Sequence, residues 1–205
     1  MKIACIGNCQ LESLAWYIKY LLPNDECWWI SFNGEGYRGY DFKTKLNAVN
    51  HSLLTKQFID KVNCPHDDKD YIKSCDYIIC QVVHPHTSPE YSMDKIKLLA
   101  NEHCKIVTTS SYYIKPDKYD ETYKGMQDRE KVKNVEITID QIINQHNKNE
   151  MLPIKKHQPN HPPSNYFLKL LELICGHFDW RYFSKEDQDM FLKTGFPFGV
   201  KLKSK

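Results

Sequence analysis

The run Tyr77-Ile78-Ile79-Cys80-Gln81-Val82-Val83 constrains this chain most, because it is apolar throughout except at Gln81. An apolar run without alternation suits a strand covered on both faces, and such strands belong to parallel sheets flanked by helices. Neighbouring segments repeat the theme. Lys2 to Ile6 reads as a buried strand. Leu11 to Leu22 reads as a helix with Leu11, Leu14, Ala15, Ile18, Leu21 and Leu22 on one stripe, ended by Pro23 and Asn24. Cys27 to Phe32 reads as a second strand, about Ser92 to Glu102 as a helix, and Cys104 to Thr109 as the next strand. Strands alternating with helices as far as Thr109 predict βαβ units and a mainly parallel sheet, so the fold class is α/β.

The remaining segments are read from weaker signals. Asn33 to Tyr40 is a loop rich in glycine and tyrosine, and Phe42 to Val62 reads as one or two helices ended by Asn63, Cys64 and Pro65. The second half is expected to be more helical. Asp128–Lys133 and Ile137–Asn149 carry helical patterning, with a short strand over Val135–Ile139 as the alternative. After the proline-rich stretch from Pro153 to Pro163, Asn165 to Phe178 predicts a strong helix with Ser164 as its N-cap.

At 205 residues with 41% hydrophobic and 26% charged side chains, the chain suits one globular domain spanning 1–205, with a tail over 199–205 expected to fray. A net charge of +2 does not argue for nucleic acid or an anionic membrane. No apolar stretch approaches the roughly 18 residues that span a bilayer, and the N-terminus lacks a signal-peptide core. A cytoplasmic protein is the expectation, with its eight irregularly spaced cysteines as free thiols.

Ligands of an open parallel sheet bind beyond the carboxyl ends of its strands. Three polar features are expected there: Asn8, Cys9 and Gln10 after the first strand, Gln81 near the end of the central one, and the Asn160-His161-Pro162-Pro163 loop. A cysteine at a helix N-terminus meets unpaired N–H groups and the positive dipole end, which favour a thiolate. Cysteine, histidine and amide donors on one edge are the parts of an acyl-transfer site. Each also has a plain structural reading. Cys9 can fill a strand end as a small hydrophobe, and Gln81 can be a satisfied buried amide. His161 can be a surface or capping residue, and Asn160 a turn former.

Cys64-Pro65-His66 and His84-Pro85-His86 are possible ligand pairs, but C-x-H and H-x-H are not the common zinc spacings, and no metal is expected. The aromatic segment from Trp28 and Trp29 to Tyr40 can stack on a sugar or an adenine, or simply pack. Arg38 and Lys43 can meet phosphates, or serve as ordinary surface charge.

Gly7-Asn8-Cys9-Gln10 after an N-terminal strand, Asp76-Tyr77-Ile78-Ile79-Cys80-Gln81 in the middle, and Asn160-His161-Pro162 before a helix occur in this order. So does Ile106 to Tyr119, with Ser111-Tyr112-Tyr113 and Pro116-Asp117. On these motifs, over roughly residues 2 to 175, the chain resembles the WcbI family of capsular polysaccharide biosynthesis enzymes. The resemblance implies a three-layer α/β sandwich similar to SGNH hydrolases. It also implies binding of coenzyme A, with acetyl-CoA as co-substrate, and acetyl transfer to a hydroxyl of a carbohydrate acceptor. It implies Cys9 where an SGNH hydrolase has its nucleophilic serine, and His161 as base. Gly7, Asn8 and Gln81 would surround the oxyanion. Asn8, Gln10 and Gln81 are expected to donate hydrogen bonds, and Gln10 and Asn160 to bind oxyanion or substrate. One position departs from the pattern: SGNH enzymes carry an aspartate three residues before the histidine, and here that residue is Gln158. Either another carboxylate orients the imidazole or it acts unassisted. Two alternatives use the same residues: an SGNH-like esterase with water as acceptor, and a non-catalytic sugar- or nucleotide-binding protein.

Overall fold

Side chains along the first strand alternate between two packed faces, and this alternation organises the molecule. In a computed structural model of the chain, which describes residues 1–22, 24–31, 37–41, 60–63, 67–81, 91–153, 158–181 and 184–186, β1 runs from Lys2 to Gly7. Ile3 and Cys5 join one buried cluster and Ala4 and Ile6 the other, the period-2 pattern of a strand covered on both sides. β2 (Glu26–Ser31), β5 (Tyr77–Gln81) and β6 (Lys105–Thr109) behave alike. Ile79 and Val107 face the first cluster, while Ile78 and Cys80 face the second.

The sheet has six strands in the order β4-β3-β2-β1-β5-β6. The four strands β2, β1, β5 and β6 are parallel. β3 (Tyr37–Asp41) and β4 (Asp60–Asn63) extend the β2 edge antiparallel. β3 therefore occupies much of the expected Gly/Tyr loop, and β4 the end of the expected helical stretch; residues 42–59 lie outside the described residues. A strand built as Tyr-Arg-Gly-Tyr-Asp carries no apolar period of its own, so its pairing with β2 decides its state.

Helices cover both faces, giving three layers. On one side α1 (Cys9–Leu21), α4 (Tyr119–Lys133), α5 (Ile139–Ile142) and α6 (Ser164–Phe178) contribute Leu14, Met126, Ile142 and Leu171 to the larger cluster. Tyr17 of α1 stacks on Phe167 of α6 with ring centroids 5.7 Å apart. On the other side α2 (Asp68–Ser74) and α3 (Met93–Leu99) contribute Tyr71, Ile72 and Ile96. Each such side chain, fully buried, contributes about 1.5–3 kcal/mol. The α1 and α3 crossovers lie on opposite faces, so the winding reverses between β1 and β5. The carboxyl ends of strands at such a reversal are where open α/β sheets bind their ligands.

The second half differs from expectation in three places. Ser164, expected as an N-cap, is the first residue of α6, with Pro163 at the cap position and no side-chain cap bond. α4 starts at Tyr119 rather than near Asp128, after a 3₁₀ turn opened by Pro116. The expected helix over Ile137–Asn149 contracts to the single turn of α5. Ile137 instead bridges Thr109 as a short parallel extension of the sheet. Beyond α5, Asn144 Oδ1 accepts from the N–H groups of His146 and Asn147 while Asn147 Oδ1 accepts from that of Asn144. Side chains that bond the local backbone in this way compete with a helix and end it. α2 was not expected at all, although Asp67 caps it by accepting from Lys69 and Asp70 N–H. Among the described residues no helix is long and apolar enough to cross a membrane.

Candidate active site

The β1–α1 turn is built around a glycine that leaves no room for a side chain unless Leu11 and Gln81 shift. A Cβ on Gly7 would lie 2.7 Å from Leu11 Cγ and 2.9 Å from Gln81 Oε1, inside van der Waals contact on both sides. Asn8 then caps α1 with extended backbone, its Oδ1 accepting from Gln10 N–H at 2.8 Å. From below, Trp29 donates its indole N–H to the carbonyls of Gly7 and Asn8 at 3.0 and 3.1 Å. Trp29 is 6% exposed, so of its two expected uses it packs and braces the turn.

Gln81 and Gln10 are buried and tie four segments together. Gln81 Oε1 accepts from Asn8 N–H at 3.1 Å, and its Nε2 donates to Gln10 Oε1 at 2.7 Å. Gln10 Oε1 also accepts from Tyr112 N–H at 3.1 Å, while its Nε2 donates to the carbonyls of Tyr112 (2.8 Å) and Asn160 (2.9 Å). Two donors and two lone pairs are an amide's full complement, and all four of Gln10 are used. The expected role of Gln10 as a donor to substrate or oxyanion is therefore corrected: no N–H remains on it for either. Gln81 Oε1 likewise takes the Asn8 N–H, a backbone donor that an oxyanion would otherwise meet.

Through Gln10 the Asn160–His161 loop is docked beside the cysteine turn, although the two lie far apart in sequence. The loop is fixed further by Ile114 N–H donating to Pro159 O at 2.9 Å and His161 N–H to Gln158 O at 3.0 Å. His161 is half-buried, and its Nδ1 lies 3.0 Å from the side-chain oxygen of exposed Asn160. Cys9 and Asn8 are exposed on the same edge. Among the described residues, the Asn8 side-chain amide N–H₂ has no hydrogen-bond partner.

The electrostatics of Cys9 oppose the expected activation. Desolvation, followed by the carboxylate of Glu12 one turn along α1, pushes the thiol above its ordinary value. The N–H groups of Cys9 and Gln10 favour the thiolate without offsetting them. At neutral pH the group is a thiol and needs a base to become a nucleophile.

Sequence reasoning missed Tyr112 as the partner of Gln10, and Trp29 as the brace beneath the turn. A buried glutamine between two loops was the available signal for the first, since its amide must find partners somewhere. Cys64, His66, His84 and His86 lie outside the described residues. Among those described, no three His, Cys, Asp or Glu side chains gather as a metal ion requires. A separate cavity, lined by Met1, Asp76, Tyr77, His103 and Lys105, opens at the opposite end of the strands and shares no residue with this site. Compared with family models, curated proteins and solved structures, the chain has no match.

Proposed function

We propose that the chain is an acyltransferase that moves an acetyl group from acetyl-CoA to a sugar hydroxyl, as its resemblance to the WcbI capsular polysaccharide enzymes implies. The proposed fold kinship is with SGNH hydrolases, Cys9 standing in place of serine. One observation carries the reading. Gln10 holds the Asn160–His161 loop against the turn that presents Cys9, at the sheet edge where the parallel strands reverse their winding.

His161 takes the thiol proton, and the thiolate attacks the acetyl carbonyl. The C–S bond to coenzyme A breaks, and the departing thiolate takes the proton from the imidazolium. The sugar hydroxyl then gives its proton to His161 and attacks the Cys9 thioester. The acetyl ester leaves, and the cysteine sulfur recovers the proton. The side-chain amide of Asn8 is an exposed donor that meets the oxyanion. Lys115, whose Nζ lies 5.7 Å from the centre of the Tyr113 ring, supplies positive charge for a phosphate.

The test is release of coenzyme A thiol from acetyl-CoA with and without a carbohydrate acceptor. Acceptor-stimulated release supports transfer, and equal release in both supports an esterase. No release, with acetyl-CoA still bound, supports a non-catalytic binding protein. The raised Cys9 thiol and the amides spent on internal bonds are the observations favouring that last reading.

A further inference from the structure

We infer that Asn160 is the positioning residue for His161, supplying the orienting acceptor that Gln158 does not. The inference rests on the acyl-transfer reading of Cys9 and His161. Gln158 stands at the position where an aspartate would orient the imidazole, and its main-chain carbonyl instead takes the His161 backbone N–H. The imidazole finds another acceptor. Its Nδ1 lies 3.0 Å from Asn160 Oδ1, and because an amide oxygen only accepts, this pairing selects the tautomer with Nδ1–H as donor and Nε2 as the basic nitrogen.

Asn160 can do this because its two polar ends are divided between tasks. Its main-chain carbonyl is held by Gln10 Nε2 at 2.9 Å, which fixes where the residue sits. Its exposed side chain is thereby left to the histidine. A neutral amide orients a ring and selects its tautomer without the charge that would stabilise an imidazolium. That suits a cysteine site, where the thiol gives up its proton more readily than a serine hydroxyl does.

The test compares Asn160→Ala and Asn160→Asp with the wild-type chain, reading the His161 tautomer by nitrogen-15 NMR and acyl transfer by kcat/KM. A His161→Gln variant assigns the ring signals. Both Asn160 substitutions keep the carbonyl that Gln10 holds, and the side chain is exposed, so the loop stays docked. The expected result is the Nδ1–H tautomer in the wild type and in Asn160→Asp. In Asn160→Ala the ring relaxes toward Nε2–H, and kcat/KM falls by roughly 10–100-fold, part of the usual contribution of a positioned base. Asn160→Asp recovers most of that loss. An Nε2–H ring in the wild type, a tautomer unmoved in Asn160→Ala, or equal losses in both variants would overturn the inference. The tautomer is read without turnover, so a chain that fails to transfer acetyl but shows the Nδ1–H ring refutes the acyl-transfer reading and leaves the orientation of His161 established.

Discussion

The thiol of Cys9 is set by a contest within one helical turn. The N–H groups of Cys9 and Gln10 favour the thiolate, while desolvation and the Glu12 carboxylate oppose it and prevail. Removing the carboxylate therefore lowers the thiol pKa. We expect alkylation of the Cys9 peptide by iodoacetamide to rise with pH around a midpoint above the ordinary cysteine value. Glu12→Gln shifts that midpoint downward and speeds the reaction at pH 7. A wild-type midpoint below the ordinary value, or one unmoved in Glu12→Gln, contradicts the electrostatic account. The turn itself was legible in the sequence, since a short apolar strand gives way within a few residues to a helix with an apolar stripe. The direction of the thiol shift was not. It depends on which side of α1 the Glu12 carboxylate occupies and on how far the chain around Cys9 excludes water.

At the scale of elements, the Gln10 amide joins α1, β5, the Tyr112 segment beyond β6 and the Asn160 loop. Gln10→Glu preserves size and the acceptor for Tyr112 N–H, but directs a carboxylate at two carbonyls. Buried carbonyls left without donors cost about 1–3 kcal/mol each, so Gln10→Glu should destabilise the fold by about 2–6 kcal/mol in urea denaturation. A change below the error of the measurement would show that the network does not hold the loop. α1 and α6 were legible because their apolar residues recur at helical spacing over many turns. β3 and α5 were not. The strand Tyr37–Asp41 has no period to read, and the helical pattern after Ile137 is cut by asparagines that bond the backbone once the chain turns. The meeting of Gln81, Tyr112 and Asn160 on one glutamine is a product of strand order, which no local pattern encodes.

At the scale of the whole molecule, a parallel sheet buried on both faces leaves few places for charge, and Glu130 of α4 occupies one of them. It is 7% exposed and accepts from Ile139 N–H at 2.8 Å. Burial raises its pKa above the ordinary 4.5, outweighing the bonds that favour the carboxylate. The folded state thus holds this proton more tightly than the unfolded chain. The resulting stabilisation is full below pH 4.5 and is lost as pH rises through the raised folded value. Glu130→Gln, which keeps an acceptor for Ile139, should remove this fall from the urea midpoint measured between pH 4.5 and 7; an unchanged slope would contradict it. The three-layer arrangement around that sheet was legible from the alternation of apolar runs and helices. The reversal between β1 and β5, which gathers the candidate residues, required the strand order. The central claim, that Cys9 carries the acyl group at that reversal, is tested most directly by peptide mass mapping after acid quench of a reaction with acetyl-CoA and no acceptor. The account predicts one acetyl group on the peptide bearing Cys9, absent in Cys9→Ala and strongly reduced in His161→Ala. An unmodified Cys9 peptide, with coenzyme A released as fast by Cys9→Ala as by the wild type, would contradict it.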